Sequence, residues 1–211
     1  VSETIKVFAY ILMNEAKLGG YLPKTDLPFQ LCSIQIIFIL ILKITKNKDL
    51  KRFLYSFMAP SCLLGGIFAV LIPTSSSRST WPITIQYFGY HAAIIIFALY
   101  LLTSLEEKFT IKDYLNSLKF LAGVAFFAFY INSMVYDPLQ AEAGISQINF
   151  MYVVNPPQEG LPFLNKDHGW GVYITHYSLL CLFAATLCYI YPIIQFFKGL
   201  KKKPERMLFF F

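Results

Sequence analysis

Long apolar stretches separated by short basic connectors constrain this chain more than any other feature of its sequence. Hydrophobic residues make up 56% of its 211 residues, and charged residues only 14%. A soluble domain carries about 25% charged residues, so a soluble protein is excluded. Because roughly 20 apolar residues cross a bilayer as a helix, the pattern predicts an all-α fold, a polytopic transmembrane helical bundle.

About six membrane helices are predicted, all within a single integral membrane domain that spans residues 1–211. The first is the weakest, because it contains several charged residues. The chain opens at Val1 inside this stretch, and we expect a further segment to precede it. An extracytoplasmic loop is predicted at 137–170. The predicted helices cover residues about 1–18, 27–44, 53–72, 83–104, 114–136 and 171–197.

The positions of lysine and arginine predict the sidedness of the bundle. They are concentrated in the connectors 45–52 and 105–113 and in the tail after residue 197. Under the positive-inside rule these connectors and both chain ends are cytoplasmic. We expect the cytoplasmic membrane of a bacterium. Since the net charge of +6 comes from connectors between apolar stretches, no nucleic-acid partner is predicted, and the oligomeric state is left open.

Polar side chains are predicted to meet in one layer toward the extracytoplasmic side. Polar groups are costly in lipid and normally face the bundle interior or a water-filled cavity. We therefore predict a pocket that opens toward the outer leaflet, with the 137–170 loop as a lid or interfacial platform. The candidate substrate-binding residues in this layer are Gln30, Gln35, Tyr87, Asn132, Tyr173 and His176.

Cys32 and His91 are the candidate catalytic pair. Pro28 suits the first turn of a helix, which places Cys32 near a helix N-terminus whose partial positive charge stabilises a thiolate. A histidine can act as the general base, and the two residues together can form and resolve a thioester. Each also has a structural alternative, as a small buried side chain and as a histidine bonded within the bundle. Gly89 is expected to permit close approach of a neighbouring helix.

Metal and cofactor sites are not predicted. The four cysteines lie in apolar stretches without a CxxC pair, so the sequence supports neither a disulfide framework nor a zinc site. The intramembrane histidines lack a second-ligand spacing such as HxxxH, and no nucleotide-binding signature occurs. We expect no metal and no cofactor.

Three short segments carry a family resemblance. Residues 27–32 (LPFQLC) resemble the Leu-Pro-x-x-Leu-Cys signature of the YwaF-like integral membrane proteins. Residues 87–91 (YFGYH) are similar to the Phe-Phe-x-x-His segment of that family, and residues 149–153 (NFMYV) to its Asn-Tyr-Met-Tyr-Leu element. The resemblance spans about 27–190. Its eukaryotic branch is the transmembrane protein 164 family, described as cysteine-dependent acyltransferases that act on phospholipids.

The resemblance implies that Cys32 accepts the acyl group with His91 as its partner, and it adds Asn149 and Tyr152 to the candidate substrate-binding residues. We predict a membrane acyltransferase or transacylase that acts on phospholipid or lysophospholipid acyl chains through a thioester. Oxyanion donors are expected from Asn132, Gln35 or the region of Asn149. Two alternatives are a non-enzymatic lipid-binding or small-solute transport protein, and a lipid hydrolase that uses the same cysteine and histidine.

Overall fold

The computed structural model describes residues 30–73, 81–104, 108–142, 148–157, 161 and 163–202. Within these ranges the regular structure is helical and contains no strand. The predicted helix at 1–18 lies outside the described residues. The elements are α1 (Ile34–Ile44), α2 (Lys48–Leu71), α3 (Trp81–Ser104), α4 (Ile111–Met134), α5 (Pro138–Glu142), a 3₁₀ turn (Phe150–Tyr152), α6 (Trp170–Cys188) and α7 (Ile190–Lys202).

Four helices, α2, α3, α4 and α6, are long and apolar enough to cross a membrane. This confirms the prediction of an all-helical membrane bundle. Large apolar side chains such as Ile96, Phe126 and Phe183 are exposed on these helices, as expected of surfaces that face lipid. The predicted helix at 171–197 is divided in two, because α6 ends at Cys188 and α7 begins at Ile190.

The central helix is α2, which packs against α1, α3, α4 and α6. It begins at Lys48, before the predicted boundary at residue 53. The side-chain oxygen of Asn47 accepts hydrogen bonds from the backbone N–H groups of Asp49, at 2.9 Å, and Leu50, at 3.1 Å. This N-cap satisfies donors of the first turn, so the helix extends into a charged segment that the apolar pattern does not include.

A proline inside α2 explains a contact with the far end of the chain. Pro60 has no N–H group, so the carbonyl of Ser56, four residues earlier, loses its intrahelical partner. The hydroxyl of Tyr189 donates a hydrogen bond to that carbonyl. Tyr189 is fully buried and lies at the break between α6 and α7. Tyr189, at the break between α6 and α7, therefore supplies the hydrogen bond that the Ser56 carbonyl lacks within α2.

α2 and α3 approach each other closely at Gly66. A Cβ atom at this position would lie 2.5 Å from Cγ1 of Ile95 and 3.2 Å from the carbonyl oxygen of His91. Gly89, the glycine expected to serve this purpose, would meet no atom of the described residues within 4 Å. Among the described residues, no neighbouring helix approaches Gly89 closely, and its role stays a prediction. Gly66 sets the distance between α2 and the turn of α3 that carries His91.

An ion pair joins α2 and α4 at the end of the bundle where the basic connectors lie. The Arg52 guanidinium donates to both carboxylate oxygens of Asp113, at 3.0 Å and 2.7 Å, and to the carbonyl of Lys108, at 3.1 Å. Asp113 also accepts from the backbone N–H of Thr110 at 2.7 Å. The connectors before α2 and α4 therefore lie at the same end of the bundle.

Two adjacent glycines test the close approach. We expect Gly66→Ala to destabilise the protein by about 1–3 kcal/mol, the usual cost of overpacking, because the new methyl group displaces Ile95 and α3. A Cβ at Gly65 would meet nothing within 4 Å, so Gly65→Ala should stabilise the helix slightly. Thermal unfolding in detergent measures both variants, and equal midpoints would contradict the close approach.

Candidate functional site

The segment 149–155, here called the 149–155 loop, has an irregular backbone and many hydrogen bonds to side chains. Met151 and Tyr152 both have left-handed backbones, with φ of 57° and 54°. Each such residue costs roughly 1–2 kcal/mol when it is not glycine. Phe150, Met151 and Val153 are nevertheless buried. Other interactions must hold this conformation in place.

Three amide side chains supply part of that support. Gln30 accepts from the N–H of Met151 at 2.8 Å and donates to the carbonyl of Asn149 at 3.2 Å. Asn132 accepts from the N–H of Phe150 at 2.8 Å and donates to its carbonyl at 3.1 Å. The Asn149 side chain bonds back to the loop, accepting from the N–H groups of residues 154 and 155 and donating to the carbonyl of residue 155.

Aromatic side chains at the start of α6 bind the carbonyl groups of the loop. Tyr177 donates to the carbonyl of Met151 at 2.9 Å, and Trp170 donates to that of Val153 at 3.1 Å. Tyr173, which is fully buried, donates to the carbonyls of residue 152 and, at 3.0 Å, of residue 155. Non-helical backbone is tolerated within a membrane protein only where protein groups satisfy it, and these side chains meet that requirement.

The loop is thereby fixed against the turn that contains Cys32. The N–H of Ile34 bonds to the carbonyl of Gln30 at 3.0 Å, so residues 30–33 form a helical turn that leads into α1. Cys32 lies in this turn and is half-buried. Its predicted position at a helix N-terminus agrees with this geometry. The hydroxyl of Tyr90, from α3, donates to the Cys32 carbonyl at 2.6 Å.

His91 follows Tyr90 and is 4% exposed. Its Nδ1 lies 2.7 Å from the carbonyl oxygen of Tyr87. A carbonyl only accepts hydrogen bonds, so Nδ1 carries a proton; when the ring is neutral, Nε2 therefore holds the lone pair. The ring also packs against Tyr87, with centroids 4.3 Å apart, and against Tyr90, at 5.4 Å. This arrangement is the one that a general base requires.

Cys32 and His91 occupy similar depths in the bundle. His91 lies ten residues after the first residue of α3, which is about 15 Å along the helix axis. Cys62 of α2, which interacts electrostatically with Cys32, lies nine residues before the last residue of its helix, or about 14 Å. Both distances are measured from the end of the bundle opposite the Arg52–Asp113 pair.

Tyr152 lies in the loop segment that Gln30 binds, and Gln30 belongs to the same turn as Cys32. Burial, and then the electrostatic effect of Cys32, raise the pKa of Tyr152 to about 12. The phenol therefore keeps its proton at every physiological pH. No hydrogen bond of this hydroxyl is found within the part of the chain that the structure describes. Tyr152 is thus a protonated O–H group in the loop that is bonded to the Cys32 turn through Gln30.

Gln35, at the start of α1, is held by hydrogen bonds to the Cys32 turn and to α2. Its amide nitrogen donates to the carbonyl of Leu31 at 2.9 Å and to the hydroxyl of Ser61 at 3.0 Å. The side chain is fully buried, and its Oε1 has no partner among the described residues. These bonds tie α1 to α2 one turn away from Cys32.

The structure thus brings most of the predicted residues to one region, but in different roles. Gln30, Asn132, Asn149 and Tyr173 bind the 149–155 loop rather than line an open pocket. His176 is exposed, and its Nδ1 lies 3.0 Å from the carbonyl oxygen of residue 163. Their assignment to substrate binding stays a prediction. The candidate site residues drawn from the sequence did not include Ser61, Cys62, Gly66, Tyr90, Trp170 and Tyr177.

The fold and the polar layer define an integral membrane protein built as a helical bundle. A model of the TMEM164 family matches residues 3–189. The chain therefore belongs to the TMEM164 family, which was predicted here as a relative; the YwaF-like resemblance stays a prediction. No curated protein matches the chain, and no solved structure matches it.

Replacement of Asn132 by leucine tests the support of the loop. Asn132→Leu keeps the side-chain size but removes both bonds to the backbone of Phe150. Each buried group that loses its partner costs about 1–3 kcal/mol, so we expect a total loss of roughly 2–5 kcal/mol. Thermal unfolding in detergent measures this loss. The neighbouring Ser133 is exposed, and Ser133→Ala is the control; equal stability of the two variants would contradict the assigned role.

Proposed function

We propose that this protein is a membrane-embedded, cysteine-dependent acyltransferase or transacylase. Its substrates are the acyl chains of phospholipids and lysophospholipids, and its intermediate is a thioester on Cys32. One observation carries the proposal: the bond from Nδ1 of His91 to the Tyr87 carbonyl leaves Nε2 as a proton acceptor, in the layer that contains the Cys32 turn. Membership of the TMEM164 family supports an integral membrane protein.

In the first half-reaction Cys32 attacks the ester carbonyl of the donor lipid. Nε2 of His91 takes the thiol proton, and the sulfur forms a bond to the acyl carbon. The carbonyl electrons move to oxygen and return as the carbon–oxygen ester bond breaks. The proton on His91 then passes to the departing lipid oxygen. The products are a lysolipid and an acyl group bound to Cys32.

The second half-reaction reverses these roles. The hydroxyl of an acceptor lysolipid gives its proton to His91, and its oxygen attacks the thioester carbon. The carbon–sulfur bond breaks, the acyl group leaves on the acceptor, and the proton returns to the Cys32 sulfur. The helical turn at residues 30–33 favours a negatively charged sulfur in both halves, because the first N–H groups of a helix carry partial positive charge.

The depth of the site and the basic connectors give the proposed orientation. The connectors joined by Arg52 and Asp113 are cytoplasmic under the positive-inside rule, and both chain ends lie on that side. The layer of Cys32 and His91 is then nearer the extracytoplasmic surface, and lipids of the outer leaflet are the substrates. We place the protein in the cytoplasmic membrane of a bacterium, as its sequence led us to expect.

Mass spectrometry of the intact protein tests the thioester. We expect purified protein incubated with phospholipid to carry an acyl mass that hydroxylamine removes, because hydroxylamine cleaves thioesters. Cys32→Ala should abolish that mass. Cys188 is a free thiol in α6 outside this site, so Cys188→Ala should retain it. Loss of the mass on addition of lysolipid would identify a turnover intermediate, and loss to free fatty acid would identify hydrolysis instead. An adduct that persists in Cys32→Ala would contradict the proposal.

A substitution of His91 tests the general base. We expect His91→Gln to lower the rate of acyl transfer by about 10²–10⁴-fold, because the thiol proton then has no acceptor. The expected loss should shrink as the pH rises and hydroxide ionises Cys32 without help. His168 is exposed in the turn before α6, and His168→Gln should leave the rate unchanged. Equal rates for the two variants would exclude His91 as the base.

A further inference from the structure

The short helix α7, Ile190–Lys202, is a part of the chain that the proposed function does not use. It contains 13 residues and is about 20 Å long, which is too short to cross a bilayer. It begins directly after α6, which is long and apolar enough to do so. The position of α7 therefore depends on where α6 ends and on which surfaces α7 presents.

Pro192 explains why α6 does not continue into α7. It has no N–H group, so in an unbroken helix the carbonyl of Cys188, four residues earlier, would lose its bond and clash with the proline ring. In the structure the N–H of Tyr189 bonds to the carbonyl of Thr186 at 3.0 Å, and the N–H of Ile193 bonds to that of Tyr189 at 3.1 Å. One helix therefore ends and another begins at Tyr189, with Pro192 in the first turn, where proline is tolerated.

The break lies at the end of the bundle that carries the basic connectors. Tyr189 donates to the carbonyl of Ser56, which is one helical turn from Arg52 of the Arg52–Asp113 pair. The Tyr189 ring also packs against Phe109, in the connector before α4, with centroids 5.5 Å apart. The 19 residues of α6 measure about 28 Å, close to the thickness of the hydrocarbon core, about 30 Å. α7 therefore starts near the boundary of that core.

The sequence of α7 separates apolar from basic residues around the helix. Ile193 and Phe197 lie four residues apart and share one side. Gln195, Lys198 and Lys202 follow a spacing of three and four on another side, about 150° around the helix from the first. A helix with lysine on its polar side and large apolar residues on the other side lies in the plane of a membrane surface.

The packing of α7 leaves both sides accessible. The helix contacts α4 and α6, and Pro192 is buried. Further along, Phe197 is 58% exposed and Phe196 is 41% exposed, and Gln195 and Lys198 are also exposed. In an integral membrane protein the apolar side chains at such a boundary meet acyl chains, and the basic side chains beside them meet lipid headgroups.

Positive charge around this end of the bundle favours anionic headgroups. Lys46 and Lys48 are exposed at the start of α2, and Lys108 and Lys112 are exposed around the start of α4. Asp49 is exposed among them, but α7 itself contains no acidic residue. Basic residues close to a membrane surface are attracted to anionic lipids, whereas zwitterionic lipids offer them no net charge. The charge of this region is therefore complementary to anionic phospholipid.

We infer that α7 is an interfacial helix that lies in the membrane surface and binds the phosphate groups of anionic phospholipids. Lys198 and the lysines of the last turn, Lys201 and Lys202, supply the positive charge. The side that contains Ile193 and Phe197 enters the boundary of the acyl chains. The helix thereby holds the end of α6 at the membrane surface, and this role does not depend on the chemistry proposed at Cys32.

Native mass spectrometry of the full chain, titrated with phosphatidylglycerol or phosphatidylcholine of the same acyl chains, tests the headgroup contact. We expect tighter binding of phosphatidylglycerol. Lys198→Gln should reduce this preference about fivefold, the contribution of one lysine near an anionic surface. Lys198→Arg keeps the charge and should retain the preference, and added salt should weaken it.

Two triple variants with the same loss of charge separate α7 from the general basic character of this end. Replacement of all three α7 lysines by glutamine should abolish the preference for phosphatidylglycerol. Replacement of Lys43, Lys46 and Lys48, which are exposed at the connector between α1 and α2, should retain most of it. An equal loss in both variants, or no loss in the α7 variant, would overturn the inference.

Photocrosslinking tests the position of the helix. Benzoylphenylalanine in place of Phe197 should form adducts with phospholipid in nanodiscs, seen as added lipid mass on the intact protein. The same group in place of Gln195, two positions away and about 200° around the helix, should give a several-fold lower yield. Lipid adducts at position 197 above those at 195 support the inference. Equal yields at the two positions, or a crosslink from position 197 to a second copy or another protein, would overturn it.

Discussion

The need to satisfy every backbone polar group without water governs this structure. Helices meet it internally, but the 149–155 loop does not, and its bonds come from side chains of three separate regions. Gln30 precedes α1, Asn132 ends α4, and Trp170, Tyr173 and Tyr177 begin α6. An unsatisfied group in this setting costs several kcal/mol, so the loop and these side chains form one interdependent unit. The candidate chemistry at Cys32 depends on that unit.

The same requirement explains the other irregular points of the bundle. Pro60 frees a carbonyl, and Tyr189 satisfies it across the bundle. Gly66 removes a side chain where the backbone of α3 approaches closely. In each case a residue that weakens an isolated helix is matched by a specific partner on another helix. These matches fix α2 relative to α3 and α6, and they thereby set the depth of His91.

The sequence predicted the helical membrane bundle well because apolar length is a local property. The layer that contains Cys32 and His91 also followed from counting residues along each helix. The roles of the polar residues could not be predicted by such counting. Gln30 and Asn132 appeared as pocket residues because a sequence shows that a polar group is buried, but not which partner it has. For a related reason Gly66 was not singled out, since helix period alone does not tell which face meets a neighbour.

The bonds between Gln30 and the 149–155 loop have a consequence for how the protein is made. They join residues that lie 119 and 121 positions apart, and the loop is further secured by α6, which is synthesised later still. During synthesis and membrane insertion, the segment that contains Cys32 is therefore made before the helices that complete the bundle. The loop gains its full set of bonds only once α6 has been inserted. Until then, Cys32 lies in a membrane beside a loop that lacks the hydrogen bonds from Trp170, Tyr173 and Tyr177.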